Sequence, residues 1–101
     1  MTTDTVIDKK ETTKYVLKEP SMYKVVVFND DYTPMEFVIA MFMAVFRKSQ
    51  DEAVDLTLKI HNEGRAIAGI YTSEIAEQKS TDATEMARTH GHPLIVAVEK
   101  Q

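Results

Sequence analysis

The chain has no cysteine, and other residues that build common catalytic or metal sites are absent or wrongly spaced. Without cysteine there is no disulfide bond, thiolate nucleophile or cysteine-based zinc site. The three histidines, His61, His90 and His92, lack the H-E-x-x-H spacing that presents two zinc ligands from one helix. No G-x-S-x-G nucleophile motif is present either. An enzyme, for example one using an Asp/His pair, is therefore only a remote alternative.

Basic residues and long apolar runs are also in short supply. The chain has 12 Lys and Arg against 16 Asp and Glu, a net charge of −4. This charge argues against non-specific binding to nucleic acid or to an anionic membrane. The longest wholly apolar run, FVIAMFMAVF at 37–46, has about half the length of a bilayer-spanning helix. Since no secretory signal is recognisable, we expect a soluble, cytosolic protein.

The first part of the chain differs in composition from the rest. Residues 1–19 mix acids, bases and threonines without apolar periodicity, which predicts a flexible N-terminal extension. One folded domain at 20–101 follows, because the chain is too short for two. Within it, β-branched and aromatic residues predict strands at 22–28, 65–72 and 93–100.

The segment T-P-M-E predicts the start of a first helix. Thr33 suits the N-cap and Pro34 the first helical position, while Glu36 completes a capping box with Thr33. The helix should therefore run over 34–46.

Two more helices are predicted downstream. A second capping box beginning at Ser49 opens a helix that Gly64 is placed to end in a left-handed turn. A third helix starts at Thr72 or Ser73 and ends near Gly91. The order β-α-α-β-α-β predicts an α+β fold, with a small three-stranded antiparallel sheet packed against three helices.

The first predicted helix is unusually apolar. It has no polar residue from Phe37 to Phe46, although a helix that covers a sheet needs only one apolar stripe. Either neighbouring elements surround this helix, or part of its surface lines a pocket that a partner fills. The flexible side chains of Met35, Met41 and Met43 suit a pocket for varied apolar groups.

The second predicted helix places a histidine at the end of an apolar stripe. Val54, Leu58 and His61 follow the i, i+4, i+7 spacing, with Thr57 on the same face. His61 is then either a core or capping residue or a functional one.

The acidic turn N-D-D, between the first strand and the first helix, allows three interpretations. In the first, the segment is only a turn, with Asp31 at the positive end of the helix; this interpretation leaves Asp30 unexplained. In the second, it binds a metal through Asp30, Asp31 and His61, although the calcium-loop pattern is absent. In the third, it binds a cation, because Asn29, Asp30 and neutral His61 offer the three acceptors that an ammonium requires. A free peptide N-terminus is such an ammonium, and its first side chain could enter the apolar pocket.

Three segments, PSMYKVVVFNDDYTPMEFV, IHNEGRAIAGIYTSEIAEQK and HPLIVAVEK, carry a resemblance that spans residues 20–101. The chain resembles the ClpS family, the bacterial adaptors of the N-end rule pathway. The resemblance implies a monomeric adaptor, without enzymatic activity or cofactor, that binds proteins with N-terminal Leu, Phe, Tyr or Trp. It implies delivery of these N-degron substrates to ClpA, the unfoldase of the ClpAP protease.

The resemblance also implies roles at the amine end of a binding site. By motif, Asn29, Asp30 and His61 hold the α-amino group of the substrate. Asp31 and Thr33 shape the same end of the site.

Other positions are implied to contact the substrate side chain. Met35 matches the gatekeeper that excludes Ile and Val, and Val38, Ile60 and Leu94 match apolar wall positions. Thr57 stands where the family often has methionine, and its hydroxyl should make that wall shorter and more polar. The order of preference among substrates is therefore open, and so is whether the chain is a primary or a second, divergent ClpS.

The resemblance places the unfoldase contact on the third helix. Glu74 and Lys79 match positions that dock the N-terminal domain of ClpA, and residues 1–19 match the extension that engages it during delivery. A peptide-docking or regulatory domain of the same fold, without dependence on an N-terminal amine, is the alternative.

Overall fold

The computed structural model describes residues 20–101, which form three strands and three helices in the order β-α-α-β-α-β. The strands are β1 (Met22–Phe28), β2 (Arg65–Thr72) and β3 (Ile95–Lys100), and the helices are α1 (Met35–Phe46), α2 (Gln50–Glu63) and α3 (Ser73–Thr89). The predicted α+β class and element order are confirmed. The predicted flexible extension, residues 1–19, lies outside the described residues.

The sheet is antiparallel and has β1 at its centre, in the order β2-β1-β3. Alternate residues of a strand face opposite sides, so Val25 and Val27 enter the main core. The same core contains the buried residues of α1, among them Met41 and Phe42, both 0 % exposed. The buried side of α1 therefore belongs to the core. Its opposite side, with Ala40, Met43 and Ala44, is exposed, so neighbouring elements surround this helix only in part.

An ion pair lies across the opposite face of the sheet. Arg65 on β2 donates to Glu99 on β3 at 2.9 Å, so the contact crosses the central strand. The Arg65 guanidinium also lies 5.2 Å from the centre of the Phe28 ring. Val26, which faces this side between the two charged residues, is 0 % exposed. The aliphatic parts of the Arg65 and Glu99 side chains thus cover Val26 of the central strand.

The start of α1 differs from the prediction. The N-cap is Pro34, without a side-chain cap hydrogen bond, and the Thr33–Glu36 capping box is wrong. The Thr33 hydroxyl donates to Asp30 and thus belongs to the preceding turn, and the helix begins one residue later than this capping box requires. The carbonyl of Pro34 accepts from the backbone of Phe37 at 3.1 Å and so begins the helix.

The other helix signals are confirmed, with a later start for β3. Ser49 and Glu52 form the predicted capping box, and Gly64 ends α2 with φ +91°. Strand β3 begins at Ile95 rather than at position 93. Before it, Arg88 donates to the carbonyls of residues 92 and 94, at 2.9 Å each.

Candidate functional site

The N-D-D turn is built around the carboxylate of Asp30. Its Oδ1 accepts from the backbone N–H groups of Tyr32 and Thr33, at 2.8 Å each. Its Oδ2 accepts from the Thr33 hydroxyl at 2.7 Å. The sequence interpretation that assigns the turn to Asp31 is therefore wrong, since Asp31 is exposed and Asp30 makes these bonds.

The same bonds keep Asp30 ionised. Partial burial raises the pKa of its carboxyl, but the hydrogen bonds from Thr33 and Tyr32 outweigh burial, and the charge of His92 acts in the same direction. The net result is a pKa below the usual value of 3.8. A carboxylate offers about four acceptor positions, and these bonds occupy three. One position on Oδ2 is left for a further donor.

A backbone hydrogen bond ties this turn to the end of α2. The N–H of Asn29 donates to the carbonyl of Gly64 at 2.9 Å, and the N–H of Gly64 donates to Ile60 at 2.8 Å. The last turn of α2, which carries His61, is thus held against the end of β1. Because a helix C-terminus carries partial negative charge, it reinforces Asp30 in favouring a cation here.

A pocket of about 260 Å³ opens at this junction. Its lining combines the polar turn with residues from α1 and α2: Asn29, Asp30, Asp31, Thr33, Met35, Val38, Thr57, Ile60 and His61. The structure thus brings nine of the ten predicted substrate-contacting residues to one cavity. Leu94 is the exception, since it lies in the core, 1 % exposed, and is not part of the lining.

The pocket lining includes buried apolar side chains and one exposed apolar side chain, Met35. Val38 and Ile60 are buried, whereas Met35 is 41 % exposed. The Thr57 hydroxyl donates to the Ala53 carbonyl at 2.8 Å within α2. The pocket wall at Thr57 is therefore less polar than the sequence suggests, because the hydroxyl proton is bonded within the helix and not offered to the pocket.

The apolar stripe predicted on α2 is wrong by one residue. The buried residues are Ala53, Thr57 and Ile60, whereas Leu58 is 43 % exposed. His61 is exposed and sits at the edge of the buried stripe, beside Ile60. The buried residues also follow the i, i+4, i+7 spacing in the sequence. Because two of them are alanine and threonine, this stripe is less apolar than the predicted one.

Among residues 20–101, no three Asp, Glu or His side chains are grouped closely enough to hold a metal ion. The metal interpretation of the turn thus has no support there. The helices of this part of the chain also include none that is long and apolar enough to cross a membrane.

Comparison with known proteins identifies the relatives of this chain. Residues 18–97 match the family model described as ATP-dependent Clp protease adaptor protein ClpS. The chain belongs to the ClpS family. A ClpS of Helicobacter hepaticus is 51 % identical over 85 residues, 84 % of this chain and 86 % of the relative. A ClpS of Burkholderia thailandensis is 46 % identical over 96 residues, 95 % of this chain and 89 % of the relative.

A solved ClpS structure has the same fold. Agrobacterium tumefaciens ClpS2 bound to L-phenylalaninamide is 38 % identical, with a TM-score of 0.80, and the match covers 82 % of this chain and 100 % of that one. The predicted membership of the ClpS family is confirmed. The chain is thus an adaptor of a Clp protease and not itself a protease.

The two residues that the ClpS resemblance assigns to unfoldase docking differ in their surroundings. Glu74 is exposed in the first turn of α3. Lys79 is half-buried, and its amino group donates to the Val45 carbonyl at 2.8 Å. Lys79 thus adds a positive charge at the C-terminus of α1, beside the C-cap residue Arg47.

One residue near the site carries no signal in the sequence pattern. The His92 ring packs edge-on against Phe37, with 4.7 Å between ring centres, and its charge helps lower the pKa of Asp30. These residues are far apart in the chain, and no local pattern pairs them. Only the fold identifies His92 as a neighbour of the acidic turn.

Proposed function

We propose that this ClpS adaptor binds proteins through a free N-terminal amine and an apolar first side chain, Leu, Phe, Tyr or Trp. The observation that supports this most directly is the Asp30 carboxylate, ionised and with an acceptor position left, at the mouth of an apolar pocket. The α-ammonium donates to Asp30, to the Asn29 side-chain oxygen and to a His61 nitrogen. Asp31 and Thr33 shape this end of the site.

The size of the pocket supports a single side chain as the apolar part of the ligand. Its volume of about 260 Å³ lies below the range of about 300–1,000 Å³ typical of drug-sized ligands. Burial of a Leu or Phe side chain against Val38 and Ile60 contributes about 1.5–3 kcal/mol. L-phenylalaninamide, the ligand of the related ClpS2, has a free amine and an aromatic side chain.

Selectivity in this proposal comes mainly from unfavourable interactions. An acetylated N-terminus has no ammonium, so it leaves the Asp30 acceptor position unfilled on binding, at a cost of about 1–3 kcal/mol or more. β-Branched Ile and Val clash with Met35 at the rim, and charged first residues are excluded by the apolar walls. The adaptor therefore distinguishes free, apolar N-termini from modified or polar ones.

Delivery to the ClpA unfoldase is the second part of the proposal. The N-terminal domain of ClpA docks on α3 around Glu74 and Lys79, and residues 1–19 engage the unfoldase. The exposed position of Glu74 and the adaptor role of the family support this assignment. The adaptor works as a cytoplasmic protein without catalytic activity of its own.

Replacement of Asp30 tests the amine-binding site. Asp30→Asn removes the charge but keeps an acceptor for the turn, and it should weaken binding of a Leu-initiated peptide by roughly tenfold to a hundredfold in fluorescence anisotropy. Asp31→Asn changes the adjacent, exposed acid and is the matched control. It should lose less peptide affinity than Asp30→Asn. Unchanged affinity in Asp30→Asn, with the fold intact by circular dichroism, contradicts the proposal.

A further inference from the structure

Helix α1 presents an apolar surface to solvent with one charge of each sign at its ends. This surface, here called the α1 outer face, consists of Glu36, Ile39, Ala40, Met43, Ala44 and Arg47. All of these residues are exposed except Ile39, which is half-buried. The solvent side of a surface helix is normally polar, yet the middle of this face is apolar, with Met43 40 % exposed.

Arg47 lies at one end of this face and is the C-cap of α1. Arg47 has φ +57° and is the only non-glycine residue with positive φ among residues 20–101. Glycine takes this conformation without a steric penalty, and a residue with a Cβ does not. At Arg47 this conformation ends α1, since the backbone N–H donates to the Phe42 carbonyl, as is common at helix C-termini. In the described part of the chain, neither Arg47 nor Glu36 forms an ion pair.

We propose that the α1 outer face pairs antiparallel with the same face of a second copy of this chain. The positions 36, 40, 43 and 47 have the four-three-four spacing of a seam between paired helices. With twofold symmetry, each contact occurs twice. Glu36 then faces Arg47 of the other copy, and Ala40 faces Met43.

The remaining pair of the face fits the same register. Ile39 lies opposite Ala44, so a large side chain again meets a small one. All six residues of the face are thus matched in one arrangement, acid with base and large with small. This complementarity favours a second copy of the chain over an unrelated apolar partner.

The dimer is weak and leaves the pocket open. One helix face about 16 Å long buries less than the roughly 800 Å² per partner of a stable complex. We therefore expect a reversible dimer, with a dissociation constant in roughly the high-micromolar range. The pocket residue Val38 lies on the buried side of α1, away from this face. Such self-association departs from the monomer expected from the sequence.

Charge reversal tests the register. Glu36→Arg and Arg47→Glu each place like charges opposite one another twice, so sedimentation equilibrium should show a dissociation constant raised by roughly tenfold. The double variant restores both attractive contacts, and so does an equimolar mixture of the two single variants. Both substitutions oppose the helix dipole, so recovery in the double variant separates lost pairing from a destabilised helix.

Cross-linking measures the register directly, because the native chain has no cysteine. A mixture of Ala40→Cys and Met43→Cys variants should form a disulfide-linked dimer faster than either variant alone. Leu58→Cys, at an exposed position on α2, is the control and should not cross-link efficiently. The proposal is overturned if the protein stays monomeric up to millimolar concentration. Dimers that are indifferent to both charge reversals overturn it as well.

Discussion

The hydroxyl of Thr33 donates to Oδ2 of Asp30 at 2.7 Å, while the backbone N–H of the same residue donates to Oδ1 at 2.8 Å. One residue thus holds both oxygens of the carboxylate and fixes its plane. The carboxylate in turn bends the chain from β1 into α1. A second acid, Asp31, stands exposed beside it. The turn and the proposed amine site therefore use the same side chain, with Thr33 as its support.

Removal of the Thr33 hydroxyl tests this support. Thr33→Val keeps the shape of the side chain but frees Oδ2, so we expect a loss of about 1 kcal/mol of unfolding free energy and several-fold weaker peptide binding. Chemical denaturation and fluorescence anisotropy measure the two effects. Thr81→Val, at an exposed position on α3, is the control. Equal affinities of Thr33→Val and the wild-type protein would show that Asp30 needs no such support.

The depressed pKa of Asp30 predicts a specific pH dependence of stability. Because folding lowers this pKa below its usual value of 3.8, ionised Asp30 stabilises the folded state above that value. This contribution is lost as the pH falls through the lower, folded-state pKa. The difference in unfolding free energy between the wild-type protein and Asp30→Asn should thus be constant at neutral pH and shrink below about pH 4. A difference that stays constant down to pH 2.5 contradicts the assignment.

The exposed side chain of Met35 predicts how the pocket selects its ligands. In Met35→Ala, peptides beginning with Ile or Val should bind measurably by fluorescence anisotropy, because the obstruction at the rim is removed. Peptides beginning with Leu should lose little affinity. Met43→Ala shortens a methionine on the same helix that does not line the pocket, and its selectivity should not change. If Ile and Val peptides remain excluded from Met35→Ala, another residue acts as the gate.

The elements of this fold could be predicted from the sequence because their signals are local. The β-branched and aromatic residues of MYKVVVF and the capping box at Ser49 each lie within a few residues. Both are found where predicted. The predicted start of α1 is wrong because two local motifs compete for one residue. The Asp30 turn engages the Thr33 hydroxyl, and the helix begins after Pro34 without a side-chain cap.

The site could be predicted only in part, because some of its contacts join distant segments. The sequence places Asp30 and Met35 near each other, but nothing local brings them to His61. That arrangement depends on the bond between Asn29 and Gly64, which are far apart in the chain. The Lys79 contact with the end of α1 and the burial of Leu94 in the core, away from the pocket, are likewise set by tertiary packing.

In the proposed site, the adaptor recognises a free α-amine together with an apolar side chain. A Leu-initiated peptide and its N-acetylated twin differ only at the amine, so their affinities measured by fluorescence anisotropy isolate its contribution to binding. Acetylation should weaken binding by roughly tenfold to a hundredfold or more, since the ammonium is lost and Asp30 is left without its donor. Equal affinity of the two peptides would contradict it and would indicate a peptide-docking domain that does not read the N-terminus.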